Sequence, residues 1–160
     1  MACFALDLDD TLVNTYRDLG DNIARVKSLT LVDGAVHFLK KHGEKSIILS
    51  TGVETLQQQK IDTLYLRKFV RQIVIVPTHE LKQAKLAAMA ARKKESGADL
   101  VVVGDRVDQE IQMGNQLDLI TVRMRLPGGK YFYNEPQNSM QRPDYEVSNF
   151  FELMKLPLKF

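Results

Sequence analysis

The stretch Phe4-Ala5-Leu6-Asp7-Leu8-Asp9-Asp10-Thr11-Leu12 decides the fold of this chain. A short apolar run, Cys3–Leu6, ends in acidic residues, which is typical of a buried strand that stops at the edge of a sheet. Asp7 and Asp9 stand two residues apart, so in an extended chain both side chains point to one face. Two close carboxylates repel each other, and a bound cation is the commonest reason to keep them. Oxygen ligands alone favour magnesium or calcium.

The bulk composition is that of one globular domain. A chain of 160 residues buries enough surface to fold without staples, and its hydrophobic share of 44% is ordinary. A net charge of +2 is too small to indicate nucleic acid or a membrane as the partner. The single cysteine, Cys3, excludes an internal disulfide and suits a reducing compartment. Without a signal-peptide pattern or a long apolar stretch, we expect a soluble, cytoplasmic protein.

Short apolar runs alternate with helical patterns along the chain, which predicts an α/β fold. We expect a three-layer α/β/α, Rossmann-like arrangement with a mainly parallel five-stranded sheet and right-handed crossovers. The predicted strands are Cys3–Leu6, Ser46–Leu49, Gln72–Val76, Leu100–Val103 and Leu117–Val122; the predicted helices are Gly34–His42, Glu54–Leu64, Glu80–Glu95, Gln109–Asn115 and Asn149–Lys155. Residues 13–31 and 127–143 lack periodicity and are interpreted as a flap and a loop.

Side chains that can take part in chemistry follow the first, second and fourth strands, and a lysine stands at the start of a helix. The second run ends in Ser50-Thr51-Gly52, the fourth ends in Gly104-Asp105, and Lys82 opens a helix with Lys85 one turn later. Ligands of such sheets bind at the carboxyl ends of the strands, so these groups should meet Asp7 there. Ser and Lys bind phosphoryl oxygens, while Asp7 and Asp105 can hold a metal, which is the equipment of phosphoryl transfer. Spacing alone leaves open which Asp is the nucleophile and which the proton carrier.

The opening stretch resembles the first motif of the haloacid dehalogenase superfamily, an apolar strand followed by DxDx[TV]. The resemblance implies that Asp7 is the nucleophile and a ligand of Mg²⁺. It implies that Asp9 is the general acid and base, with its backbone carbonyl on the metal, and that Thr11 helps to bind phosphate. An acid at the position of Asp9 is similar to the phosphatase branch of the superfamily.

The second and third motifs are also matched. Ile47–Ser50 resembles the strand that ends in a phosphate-binding hydroxyl, which assigns that role to Ser50 and adds the backbone N–H groups of Thr51 and Gly52. Gln57 and Lys60 continue a similarity to a "TNG…Q…KL" run found in many members. The motif lysine is Lys82 by its distance from the fourth motif, with Lys85 as the rival.

The fourth motif is similar to Gly104-Asp105-Arg106-Val107-Asp108-Gln109-Glu110-Ile111. The resemblance implies that Asp105 is a metal ligand, with Asp108 or Glu110 in support. Glu110 stands where the family often has a second Asp.

The spacing of the motifs leaves no room for the cap domain that most members carry. Only 38 residues separate Thr11 from Ser50, and 31 separate Ser50 from Lys82. We therefore expect residues 1–160 to form a single domain without a cap, with residues of the flap such as Arg17, Arg25 and Lys27 as candidate substrate contacts. Such a site is open to a large substrate or closed by a neighbouring subunit in a homo-oligomer.

The expected function is Mg²⁺-dependent hydrolysis of a phosphorylated small molecule through an aspartyl-phosphate on Asp7. A nucleic-acid end phosphatase of the same fold is an alternative, although the near-neutral charge offers no electrostatic footprint for a polymer. A non-catalytic binding or scaffold protein is the second alternative. A receiver domain is disfavoured because the third strand ends in Val76-Pro77-Thr78, with no acid to accept phosphate.

Overall fold

A parallel sheet organises the computed structural model, which describes residues 1–160. Its strands are β1 (Ala2–Leu6), β2 (Ser46–Thr51), β3 (Gln72–Val76), β4 (Asp99–Gly104), β5 (Ile120–Met124) and β6 (Tyr145–Val147). The spatial order is β3-β2-β1-β4-β5-β6, and every neighbouring pair is parallel. The predicted mainly parallel sheet is confirmed, and β1 lies at its centre with β2 and β4 on either side.

The sheet has six strands rather than the predicted five. The additional strand, β6, is three residues long and pairs with β5 at the edge of the sheet. Only Val147 in it is buried, so no apolar run marks it in the sequence. Its position depends on the contact with β5, a tertiary feature that local periodicity does not contain.

Helices cover both faces of the sheet. They are α1 (Thr15–Leu19), α2 (Ala35–His42), α3 (Glu54–Thr63), α4 (His79–Glu95), α5 (Gln112–Gln116) and α6 (Phe150–Leu153), joined by short 3₁₀ turns and one π-helical turn, Val107–Ile111. Because side chains alternate along a strand, β1 sends Phe4 and Leu6 into the larger core cluster and Ala5 into the smaller one. Helices α2, α3 and α6 fill the first cluster, while Leu86 of α4 and Met113 of α5 fill the second.

The predicted flap, residues 13–31, contains α1 and a 3₁₀ turn over Ile23–Ser28. An isolated antiparallel bridge joins Val13 to Leu31 and closes the base of this excursion. The Asn14 amide donates to the Thr30 hydroxyl and to the Leu31 carbonyl, both at 3.0 Å. The flap is therefore a structured loop whose two ends are held together. None of the helices α1–α6 combines the length and the apolar character that a membrane-spanning segment requires.

Candidate active site

The acids of the first and fourth motifs meet at the carboxyl edge of the sheet. Strands β1 and β4 are neighbours in register, with Leu6 opposite Val103, so Asp7 and Asp105 follow adjacent strand ends. The backbone N–H of Asp7 donates to the Val103 carbonyl at 2.9 Å and extends the pairing by one step. A cavity of about 300 Å³ opens at this edge, and only two of its 17 lining residues are hydrophobic. The lining of this cavity suits a polar ligand.

Lys82 joins the centre of this site. Thr78 caps the helix that carries it: its hydroxyl accepts the Leu81 N–H. Lys82 is buried, and its Nζ lies 2.6 Å from Asp7 Oδ1 and also donates to Glu110 Oε1. Lys85, the rival from the sequence, lies exposed on α4. Lys82, and not Lys85, is thus the lysine that contacts the first motif.

Burial governs the charges of this group. Desolvation raises the pKa of Asp7 to about 7, although the Lys82 ammonium opposes the shift. Desolvation also acts to lower the pKa of Lys82, but the carboxylates of Asp7 and Glu110 outweigh it and raise that pKa above its usual value. The lysine is therefore a fixed positive charge beside an acid whose charge depends on its surroundings.

Glu110 reaches Lys82 because glycine stands at position 104. A Cβ placed on Gly104 would lie 2.4 Å from the Cβ of Glu110, so no other residue leaves room for this side chain. Glu110 sits in the π-helical turn, a deviation that often marks functional sites. Its Oε2 is buried without a hydrogen-bond partner. Glu110 contacts the lysine in this structure, and Asp108 instead turns outward to Arg106.

Asp105 is the carboxylate that lacks a partner. Its side chain is buried and accepts no hydrogen bond. Desolvation, together with the negative charges of Glu110, Asp7 and Asp10, raises its pKa well above the usual range. An uncompensated buried carboxylate facing a polar cavity is stabilised by a cation.

The donor set fits Mg²⁺. No group of three or more His, Cys, Asp and Glu side chains is arranged to hold a metal ion. Mg²⁺ needs fewer protein ligands than that, because it is commonly bound through one or two carboxylates, with waters and substrate phosphate as the other ligands. Asp7 and Asp105, with the backbone carbonyl of Asp9, are such an oxygen-only set at one end of the cavity.

Asp9 is held from two sides. Its Oδ1 accepts from Lys60 Nζ at 2.7 Å and from the Thr15 hydroxyl at 2.6 Å, and its Oδ2 accepts from Gln57 Nε2 at 2.8 Å. Thr15 belongs to the flap, while Gln57 and Lys60 lie one turn apart on α3. Sequence reasoning gave these residues no role. The signal was present in the i, i+3 spacing of two long polar residues on the helix after the hydroxyl motif.

The predicted phosphate-binding residues of the second motif lie beside Asp9 and differ in their contacts. Ser50 is buried, and its hydroxyl accepts from Gln57 at 2.8 Å. Thr51 lines the cavity, and its hydroxyl has no partner. The Gly52 N–H donates to the Val76 carbonyl at 3.0 Å, so this group is engaged within the sheet rather than free for a phosphate. Thr11 is fully buried, outside the cavity lining, with its hydroxyl unpartnered.

The rim of the cavity comes from segments that lacked periodicity. Asp10 adopts a left-handed backbone (φ 51°), and its carboxylate accepts the N–H groups of Tyr16 at 2.8 Å and Lys130 at 2.9 Å. It thus ties the flap to loop 127–143, and burial raises its pKa. From the flap, Tyr16, Gly20 and Asp21 reach the cavity, whereas the basic residues Arg17, Arg25 and Lys27 do not line it.

The chain has a sequence relative among curated proteins. No protein-family model matches the chain. The chain is 32% identical over 119 residues to the glyceraldehyde 3-phosphate phosphatase of Methanopyrus kandleri, a match that covers 72% of this chain and 50% of that protein. The chain therefore spans about half the length of this curated relative.

Solved structures share the fold at low identity. A haloacid dehalogenase-like hydrolase from Burkholderia xenovorans superposes with a TM-score of 0.69 at 18% identity, covering 98% of this chain and 96% of that one. A protein of Haemophilus somnus described as a predicted phosphoglycolate phosphatase gives 0.66 at 13% identity, with 96% of each chain covered. A HAD-hydrolase of Bacillus subtilis, described as bound to magnesium, gives 0.59 at 20% identity, covering 78% of this chain and 54% of that one. The chain therefore has the fold of the haloacid dehalogenase-like hydrolases, with its motif side chains gathered at one edge of the shared sheet.

Proposed function

We propose that this protein is a Mg²⁺-dependent phosphatase that hydrolyses small polar phosphomonoesters through an aspartyl-phosphate on Asp7. The observation that carries the proposal is the buried contact of 2.6 Å between Asp7 and Lys82 at the floor of the polar cavity. The phosphatase activity of the Methanopyrus kandleri relative supports the same class of reaction.

In the first step Asp7 attacks phosphorus, a P–O bond forms to its carboxylate, and the P–O bond to the leaving group breaks. Asp9 gives the departing oxygen a proton. In the second step Asp9 takes a proton from water, the water oxygen bonds to phosphorus, and the aspartyl P–O bond breaks to release phosphate. Each residue ends as it began, as a hydrolysis requires.

Positive charge at the floor of the cavity would bind the phosphoryl oxygens. Lys82 supplies a fixed cation, and its own attraction for Asp7 favours the ionised, nucleophilic form of that carboxylate. Mg²⁺ held by Asp7, Asp105 and the Asp9 carbonyl would neutralise further phosphoryl charge. Thr51 also lines the cavity, and its buried hydroxyl has no hydrogen-bond partner, which supports a role for it in binding the same oxygens.

We also propose that the site lacks a folded cap in this chain. The segment between the first and second motifs contains only two short helices and 3₁₀ turns, and the flap and loop 127–143 form the rim. A neighbouring subunit of a homo-oligomer would be one way to exclude water. The free thiol of Cys3 is compatible with the cytoplasm as the compartment.

The test is a screen of phosphomonoesters with the wild-type protein and the Asp7→Asn variant in the presence of MgCl₂. We expect turnover of several small esters by the wild type, and capture of a phosphoryl group on Asp7 after rapid acid quenching. No turnover of any ester, or a phosphoryl label on another residue, would overturn the proposal and favour a binding role for the fold.

A further inference from the structure

A second buried lysine, Lys60, stands beside the proposed proton carrier. Its side chain is 6% exposed, and its single ion-pair partner is Asp9, whose side chain is 34% exposed. Lys60 also lines the cavity. The ammonium group is thus enclosed by protein, while the carboxylate that it holds is open to a ligand.

Gln57 completes the grip on Asp9. Its amide nitrogen lies 2.8 Å from Asp9 Oδ2 and 2.8 Å from the Ser50 hydroxyl. With Lys60 on Oδ1, helix α3 supplies a donor to each oxygen of this carboxylate, and both donors are buried. Two donors on two oxygens fix the orientation of the carboxylate plane as well as its position.

Stability gives a weak reason for this arrangement. A buried ion pair often contributes no more than apolar residues of the same size, because desolvation offsets the attraction. The neighbouring buried positions Ile61 and Leu66 are apolar, so the same region elsewhere uses ordinary core packing. Ordinary core packing therefore does not account for a buried lysine beside Asp9, and its charge and hydrogen bond are what distinguish it from an apolar side chain.

We propose that Lys60, assisted by Gln57, is a positioning residue that holds the Asp9 carboxylate where it delivers a proton to the leaving oxygen. The inference rests on the proposed function. It has a specific consequence, because a poor leaving group needs that proton more than a good one does. Loss of Lys60 should therefore slow the hydrolysis of esters with poor leaving groups more than that of esters with good ones. General damage to the fold should slow the hydrolysis of all esters equally.

The experiment compares 4-nitrophenyl phosphate, which has a good leaving group, with phenyl phosphate, which has a poorer one of similar size. We expect Lys60→Met to lower kcat/KM about tenfold on the first ester and about 100-fold on the second, chiefly through kcat. Lys60→Arg keeps the donor and the charge, so it should retain most of the activity that Lys60→Met loses on both esters. Lys41→Met, at an exposed lysine on α2, is the matched control.

The variant Asp9→Asn separates a role through Asp9 from any other role. Added to Asp9→Asn, the change Lys60→Met should cause no further loss, because the group that it positions is already disabled. Equal losses on the two esters, or a full additional loss in the double variant, would overturn the positioning role. Wild-type protein that hydrolyses neither ester would instead overturn the proposed function, so the two failures are distinguishable.

Gln57→Met keeps the test decisive if Lys60→Met does not fold, as judged by its thermal transition. It removes the donor to Oδ2 while leaving the Lys60 charge in place. We expect the same selective loss of kcat/KM on phenyl phosphate, with a logarithm about half that of the loss in Lys60→Met. Gln59→Met, at an exposed position on the same helix, is its control. A uniform loss on both esters by Gln57→Met would count against the inference.

Discussion

Two lysine–carboxylate pairs stand at the same edge of the sheet, and they differ in exposure. Lys82 and Asp7 have side chains 5% and 10% exposed, and Lys82 is shared with a second carboxylate, Glu110. Lys60 serves Asp9 alone, and that carboxylate is 34% exposed. The first pair is a nearly buried centre of charge at the cavity wall, suited to holding a phosphoryl group, and the second presents a more exposed acid to the same cavity. Burial, more than residue type, separates the two roles.

Lys82→Met should break the first pair and have the largest effect among the predictions. Removing the cation leaves Asp7 and Glu110 buried without it, so we expect a loss of about 3–5 kcal/mol in the free energy of unfolding. We expect kcat/KM to fall at least about 10³-fold, because the variant lacks the lysine cation that stabilises the negative charge of the phosphoryl group. Urea unfolding and steady-state kinetics measure both quantities. Lys85→Met, on the exposed side of the same helix, is the control, and equal losses in the two variants would contradict the assignment of Lys82.

Gly104→Ala should strain the first pair and leave the second intact. The added methyl would lie 2.4 Å from the Cβ of Glu110, so that side chain must move away from Lys82. Overpacking of this kind costs about 1–3 kcal/mol in stability, which thermal or urea unfolding measures. The ratio of rates on 4-nitrophenyl and phenyl phosphate should stay that of the wild type, because Asp9 and Lys60 are not displaced. A changed ratio would show that the two pairs are coupled.

The stability of the metal-free protein should fall as pH rises. Burial raises the pKa of Asp7 to about 7 in the folded state, above its value in the unfolded chain, so the native state binds the proton more tightly. This contribution to stability is fully present below the unfolded pKa, near 4, and is lost as pH rises through about 7. We expect Tm in EDTA to drop by a few °C between about pH 5.5 and about pH 8.

Asp7→Asn should flatten this pH profile, since the amide does not titrate. MgCl₂ should raise Tm more at the higher pH, where Asp7 is ionised. Differential scanning calorimetry over the pH series measures both effects. A metal-free Tm that rises with pH in the wild type, or an unaltered slope in Asp7→Asn, would contradict the raised pKa.

Asp108→Asn should have the smallest effect, and it tests whether Asp108 belongs to the active site. Asp108 is paired with Arg106 at 2.6 Å on the surface, and the hydrogen bond from Arg106 lowers its pKa. Such pairs contribute about 0–1 kcal/mol, and we expect kcat/KM to stay within about twofold of the wild type. Glu110→Gln provides the contrast, because it weakens a buried contact of Lys82. A loss of Mg²⁺ affinity in Asp108→Asn, followed by calorimetric titration, would restore the supporting metal role that the sequence allowed.

The sequence was informative where local pattern and chain order carry the information. Five strands, their parallel pairing and the meeting of Asp7 with Asp105 follow from apolar runs and from where parallel strands end. The strand Tyr145–Val147 was missed because its mixed residues reveal it only through pairing with β5.

The contacts within the site depended on tertiary structure. The choice between Lys82 and Lys85 is one of helix rotation relative to the sheet, which spacing alone did not settle. Asp108 and Glu110 stand two residues apart, so any helical turn points them to nearly opposite sides, and only the packing of this turn shows that Glu110 is the one facing Lys82. Lys60 belonged to a run that resembles the family, but its burial against Asp9 depends on how α3 packs in the folded chain.

The most direct measurement is the turnover of 4-nitrophenyl phosphate by the Asp7→Asn variant, in MgCl₂, with Asp108→Asn prepared in parallel. Asparagine preserves the shape of the side chain but cannot form the aspartyl-phosphate. We expect kcat to fall at least about 10³-fold while Asp108→Asn retains nearly full activity. Asp7→Asn protein that keeps kcat within about tenfold of the wild type would contradict the assignment of Asp7 as the nucleophile.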